Sequence, residues 1–272
     1  MCKIAVVMSV YNGDLPDNIE CSINSILRQT YQSFKLYIMI DGPIKAEIRN
    51  ILVKYISNPK ISIHERDVNK GLAFSLNELI DIAQNMECYA FLARMDSDDI
   101  SLPQRFSEQI KFFQENSEID VAGSYCHEFG SEFALNVKKV PLDHNSLIRY
   151  TFYKCPFIHP TVMFRMSLFD KGDVRYPLQT SLSEDLALWF ILISRGAKLA
   201  NIDKVLLNYR IDNSTLTRRS GIKKAWSEIK LRFAFAFMMR NKSLKIYLLI
   251  LCRGIFALCP TQIKKIMYKR CR

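Results

Sequence analysis

Residues 89–100 read YAFLARMDSDDI. An apolar run of strand length stops at Asp96, and three carboxylates, Asp96, Asp98 and Asp99, then fall within four positions. A short apolar run closed off by turn-forming acids fits a strand covered on both faces, as in a parallel sheet. Carboxylates crowded this closely repel one another, and burying one without a partner is costly. A positive group is therefore expected among them.

Working outward, the same alternation recurs. KIAVVMSV (3–10) precedes an amphipathic stretch, 18–29, with Ile19, Ile23, Ile26 and Leu27 on one face. KLYIMI (35–40) precedes a second such stretch, 45–57; ISIHE (61–65) precedes a third, 71–84; and the run at 89–95 precedes a fourth, 102–115. This βαβαβαβ order predicts a mostly parallel, Rossmann-like α/β sheet flanked by helices. Ligands of such sheets bind beyond the carboxyl ends of the strands. That edge collects Tyr11, Asn12, Asp14, Asp41, Arg66 to Gly71, and Asp96 to Asp99.

Several readings of the acids compete. One is a solvated turn in which Asp99 or Ser101 caps a helix opening at Leu102-Pro103, but capping uses one acid and not three. A calcium loop counted from Asp96 would need Gly at its sixth position and Glu at its twelfth, where this chain has Ser101 and Ser107. An aspartyl-phosphate phosphatase would place Asp-x-Asp after the first strand rather than the fourth. The fourth reading is a divalent cation held by one or two carboxylates together with the phosphates of a nucleotide.

Seven motifs, VVMSVYNG, SINSILRQTYQSF, IMIDGP, NKGLAFSLNELI, ARMDSDDISLPQRFSEQIKFF, IHPTVMFR and SEDLALW, follow in this order. Over about residues 3–212 the chain resembles the family 2 glycosyltransferases of GT-A fold, in particular bacterial enzymes that extend lipid-linked O-antigen or other surface-polysaccharide units. The resemblance implies an inverting transfer of a sugar from a nucleoside diphosphate donor, most often UDP, with Mn2+ or Mg2+ at the D-x-D motif. It makes Asp98 the principal metal ligand, sets Asp96 beside the metal or ribose, and puts Asp99 behind them. Asp41 matches the acid that contacts uracil, although many relatives carry two adjacent acids where this chain has Ile40-Asp41. Asn69, Lys70, Gly71 and Arg94 would lie beside the nucleotide, or serve as a helix start and a surface Arg. Asp185 matches the general base, in a helix for which Ser183 reads as the N-cap. Complementing the helix dipole accounts for Glu184 equally well. His159 matches a position near the diphosphate or acceptor; a hydrogen-bonded structural histidine is the other reading.

The chemistry implied needs one base. A nucleoside diphosphate leaves readily once its charge is neutralised, so only the acceptor proton has to be removed. A sugar-nucleotide pyrophosphorylase would carry a Gly-rich basic loop after the first strand, which SVYNGDLPD lacks. A processive synthase would carry a Q-x-x-R-W motif, also lacking.

The chain has 272 residues, is 49% hydrophobic, and carries a net charge of +11. That length supports a full core. The eight cysteines form no C-x-x-C pair, so reduced thiols in a cytosol are expected, and the opening apolar run is too short for a secretory leader. The charge is uneven. Residues 215–272 hold 15 Lys/Arg and a single acid, Glu228, whereas 1–214 hold 23 Lys/Arg against 26 Asp/Glu. We expect a catalytic domain over 1–214 and a basic, apolar-rich helical tail over 215–272. The tail's longest nearly apolar span, 246–258, falls short of the ~20 residues that cross a bilayer. It could lie on an anionic membrane surface or pack as a helical subdomain. No nucleic-acid-binding signature accompanies it, so nucleic acid is not an expected partner. The expected partners are a UDP-sugar and a polyprenyl-diphosphate-linked saccharide, met at the cytoplasmic face of the membrane. The alternative is a GT-A domain without activity that binds membrane or nucleic acid.

Overall fold

A computed structural model describes residues 2–180, 183–212 and 222–258, with backbone alone at 223, 224 and 256–258. The elements β1 (Ile4–Val10), α1 (Pro16–Leu27), β2 (Phe34–Asp41), α2 (Ala46–Val53), β3 (Ile61–Arg66), α3 (Leu72–Met86) and β4 (Phe91–Arg94) alternate as the apolar pattern predicts. β1 lies between β2 and β4, parallel to both, and β3 pairs in parallel outside β2. Along β1, Ile4, Val6, Met8 and Val10 face a core built with α1, α2 and α4 (Arg105–Glu115). Ala5 and Val7 face a second core with α3 and α6 (Glu184–Ser194). Both faces of these strands are covered, which is why their sequences run apolar without alternation.

The second half of the sheet is mixed. β7 (Met163–Arg165) is antiparallel between β4 and β6 (Val121–Phe129), and β8 (Leu199–Arg210) runs parallel to β6. β5 (Ile100–Ser101) pairs antiparallel with β8, giving the order β3-β2-β1-β4-β7-β6-β8-β5. This last pairing brings the acidic loop against a strand about 110 residues away in sequence. The helix after the loop is not capped as one reading of the acids supposed. α4 begins at Arg105 after Gln104, with no side-chain cap, because Asp99 and Ser101 are taken up by β8 and α1.

Two helices, α7 (Ile222–Met238) and α8 (Leu244–Leu258), pack on each other and on the layer holding α6. Phe235 stacks on Phe190 of α6 with ring centroids 4.1 Å apart and lies 5.1 Å from Phe152, which follows α5 (His144–Thr151). Arg232 is buried and donates to the carbonyls of Thr151 and Lys154. The described part of the basic tail is thus docked on the sheet's helical layer. The boundary expected at 214/215 and the basic end from 259 lie outside the described residues.

Candidate active site

The acids sit where β4 ends, in a loop clamped from two sides. From α1, Ser22 Oγ donates to the Asp96 carbonyl at 2.7 Å and Ser25 Oγ accepts from Ser101 N at 3.0 Å, and just past the helix Gln29 Nε2 donates to the Leu102 carbonyl at 2.8 Å. From β8, Arg210 N donates to Asp99 Oδ1 at 2.7 Å and Arg210 Nε donates to the Asp98 carbonyl at 2.9 Å. Ser97 Oγ donates to Asp14 Oδ2 at 3.0 Å, tying the loop to the turn after β1. Carboxylate oxygens of Asp96, Asp98 and Asp99 all come within 4.8 Å of one another.

Arg94 is not the surface Arg that one reading allowed. It is buried at the end of β4 and ion-pairs with Asp96. Below it, buried Arg105 donates to the Arg94 carbonyl at 2.8 Å and to Gln109 Oε1 at 3.1 Å, fixing the strand end. Asp99 is fully buried; loss of solvent, then the neighbouring Asp98 charge, pushes its carboxyl well above the usual range. Its Oδ2 is buried with no hydrogen-bond partner among the described residues. An orphaned buried carboxylate oxygen beside two further carboxylates is a hard oxygen-donor set, which fits Mg2+ or Mn2+.

Asp41 organises the neighbouring loop. Its Oδ1 accepts from Arg66 Nε at 2.9 Å and Lys70 N at 2.8 Å, and its Oδ2 accepts from Gly71 N at 2.9 Å. Asn69 Nδ2 donates to the Asp41 carbonyl at 2.9 Å. Only 3% of Asp41 is exposed, so its carboxylate is held by the chain's own donors. The approach of this loop leaves no room at Gly42, where a Cβ would lie 2.5 Å from Asn69 N and φ is +82°. Arg66 also reaches Glu78 at 2.8 Å, so the loop is pinned to α3 as well.

Asp185 lies in the first turn of α6, next to Ser183 at the N-cap position, where Ser183 makes no side-chain cap bond. The thiol of Cys155 donates to Asp185 Oδ2 at 3.6 Å. Burial, then the Asp185 charge, pushes the Cys155 thiol up to about 12, so it stays protonated as a donor. His159 is half-buried and shares a 2.9 Å hydrogen bond with the Tyr176 hydroxyl. Burial, then the nearby Arg94 charge, holds its imidazole well below the ordinary histidine value. Burial raises the Tyr176 phenol, which feels Arg94 from one direction and Asp185 from the other. Trp189 of α6 stacks on Phe164 at 5.8 Å and lies edge-on to His159 at 5.9 Å, forming an aromatic floor.

The structure gathers Arg94, Asp96, Asp98 and Asp99 in one cluster and Asp41, Asn69 and Gly71 in a second. His159 is bonded to Tyr176, whose phenol lies within the electrostatic reach of both Arg94 and Asp185. Arg105, Arg210, Gln29, Cys155 and Tyr176 escaped the sequence reading. Several act on residues far away in sequence, as Arg210 does on Asp99 and Gln29 on Leu102, and no local pattern marks them.

A sheet with strand order 3-2-1-4 in its parallel half and an acidic cluster at its carboxyl edge places the chain in the Rossmann-like α/β class, whose ligands bind at that edge. The family model for glycosyl transferase family 2 matches residues 5–172, and the chain belongs to that family. It is 30% identical over 277 residues to the Escherichia coli UDP-Gal:alpha-D-GlcNAc-diphosphoundecaprenol beta-1,3-galactosyltransferase, covering 98% of this chain and 96% of that protein. It is 27% identical over 269 residues to the amylovoran biosynthesis glycosyltransferase AmsE of Erwinia amylovora, covering 98% of each. Among solved structures, S. aureus TarS 1-349 in complex with UDP superimposes with a TM-score of 0.66 at 18% identity, over 93% of this chain and 72% of that one. The Pyrobaculum calidifontis mannosyltransferase PcManGT in complex with GDP-Man and Mn2+ gives 0.65 at 15% identity, over 97% and 74%. The fold is GT-A.

Proposed function

We propose that this protein moves one sugar, with inversion, from a UDP-sugar to a hydroxyl of a polyprenyl-diphosphate-linked saccharide during O-antigen or other surface-polysaccharide assembly. Its relative of known reaction uses a UDP donor and a lipid-diphosphate acceptor, and a fold neighbour holds UDP. The observation that carries the reading is the cluster of Asp96, Asp98 and Asp99, with the orphaned Asp99 oxygen, at the carboxyl edge of the sheet.

Asp98 and Asp96 would hold Mn2+ or Mg2+, which when bound neutralises charge on the leaving diphosphate. Asp99 and Arg94 set the loop's charge balance, and Arg210 fixes its backbone. The loop held by Asp41, with Asn69, Lys70 and Gly71, borders the nucleoside. Asp185 takes the proton from the acceptor hydroxyl as that oxygen attacks the anomeric carbon. His159, neutral and bonded to Tyr176, shapes the wall between them and carries no proton in the reaction. The acceptor's lipid places the encounter at the anionic cytoplasmic face of a membrane.

The test is donor hydrolysis and transfer across a panel of nucleotide sugars, with Asp98→Asn beside the wild type. UDP-sugar turnover that needs added Mn2+ or Mg2+, lost in Asp98→Asn with unchanged melting, is the expected result. Full turnover in excess chelator would remove the metal assignment, and turnover of a GDP-sugar alone would remove the donor.

A further inference from the structure

The α7–α8 hairpin uses only one side of each helix for packing. On α7, Ala225, Arg232, Phe235 and Ala236 are buried, while Ile222, Trp226, Lys230 and Phe237 follow one another at helical spacing and are exposed. On α8, Ile250 is buried, Ile246 and Tyr247 pack beside it, and Leu244, Leu248 and Leu251 line the exposed side. Phe237 is 83% and Leu244 84% exposed. Isolated exposed apolar residues are ordinary, but large apolar side chains repeated along the exposed faces of two helices that pack on each other mark an interaction surface.

The charge on this side has one sign. Lys230, with its ammonium 5.3 Å over the Trp226 ring, and Arg240, Lys242 and Lys245 at the hairpin's turn are all basic. The single acid in 215–272, Glu228, is turned inward within 3.6 Å of both Arg232 and Arg253. Among the described residues no helix is long and apolar enough to cross a membrane.

We infer that the outward side of the α7–α8 hairpin is the surface by which the enzyme docks on an anionic lipid leaflet, with Trp226, Phe237 and Leu244 entering the headgroup layer. Large apolar side chains interspersed with Lys and Arg, without acids, are the composition that binds this boundary and no aqueous partner of mixed charge. The inference deepens the proposed reaction, since it names the surface that brings the site to a lipid-borne acceptor. Because the inner side of the hairpin stacks on α6, which carries Asp185, docking would orient the site relative to the lipid as well as retain the protein there.

The experiment uses the full chain and vesicles of phosphatidylcholine, with and without phosphatidylglycerol. The chain has two tryptophans, and only Trp226 is exposed, Trp189 being buried, so emission reports on this surface. We expect a blue shift and sedimentation with the anionic vesicles, weakened by salt. The variant Trp226→Ser/Phe237→Ser/Leu244→Ser should bind at least ~10-fold more weakly while keeping its melting temperature and its donor hydrolysis. Vesicle binding equal in variant and wild type would overturn the inference. So would failure of the wild type to bind anionic vesicles, or a concentration-dependent dimer that this variant abolishes. Donor hydrolysis needs no lipid, so its loss would count against the proposed reaction and leave the surface to be judged by sedimentation.

Discussion

Asp185 accepts a hydrogen bond from a protonated thiol 3.6 Å away, that of Cys155. Asp185→Asn keeps the shape and removes the proposed base, so transfer should fall at least ~100-fold while UDP binds as before, read by titration with the nucleotide. A collapse of nucleotide affinity would instead make Asp185 part of the binding site. Cys155→Val removes one hydrogen bond to the carboxylate; kcat should drop by roughly threefold to tenfold with KM steady, and Cys155→Ser should restore it. His159 gives a pH dependence. Its folded value lies well below 6.5 through burial and Arg94. The unfolded chain therefore binds the proton more readily, and His159 costs stability as pH falls below about 6.5. His64 and His144 are held low by burial too, so melts of His159→Gln should retain a shallower acid decline rather than none. An unchanged decline would show that His159 titrates normally.

At the scale of elements, α7 is held by one ring and one guanidinium. Phe235→Ala should cost about 3–5 kcal/mol, the range for emptying an aromatic site in a core, seen as a lower denaturant midpoint. Arg232 spans the α7–α5 contact through two carbonyls and faces Glu228 at 3.6 Å. Losing one side of a buried pair is strongly destabilising, so Arg232→Ala should weaken the fold comparably, and melting of the two variants against wild type checks both. A change under about 1 kcal/mol in both, within the ordinary range for surface substitutions, would mean that the hairpin is only loosely attached. The helices α1 to α4 could be read from apolar spacing because each keeps one stripe inward. β6 and β8 could not: Ser124, His127 and Glu128 interrupt one, and Asp203 and Lys204 interrupt the other. Buried Glu128 is served by the loop that follows β6, accepting from Leu135 N at 3.2 Å, and Asp203 and Lys204 face solvent.

For the whole molecule, the hairpin completes the helical layer over α6. Ending the chain after Asp212 would uncover Phe190 and Phe152, which now pack on Phe235. Such a protein should melt lower and aggregate more readily than the full chain, judged by melting and by light scattering. Equal melting would mean that residues 1–212 fold independently. For this reason point variants on the outward surface, and not truncation, separate lipid docking from folding.

The order of strands and helices to β4, the burial of both sheet faces, the acids at the carboxyl edge and the family motifs all came from consecutive residues. Periodicity and motif spacing are properties of neighbouring positions, and they survive without knowledge of what packs where. The tertiary structure decided what each acid touches. Asp99 is bonded to Arg210 across 111 positions, the Asp96 carbonyl to Ser22 across 74, and Asp185 to Cys155 across 30. It also gave the two sides of the tail different work, one buried on α6 and one left apolar and basic. Burial is set by distant segments closing over a residue, and no local pattern encodes which side of a helix they will reach.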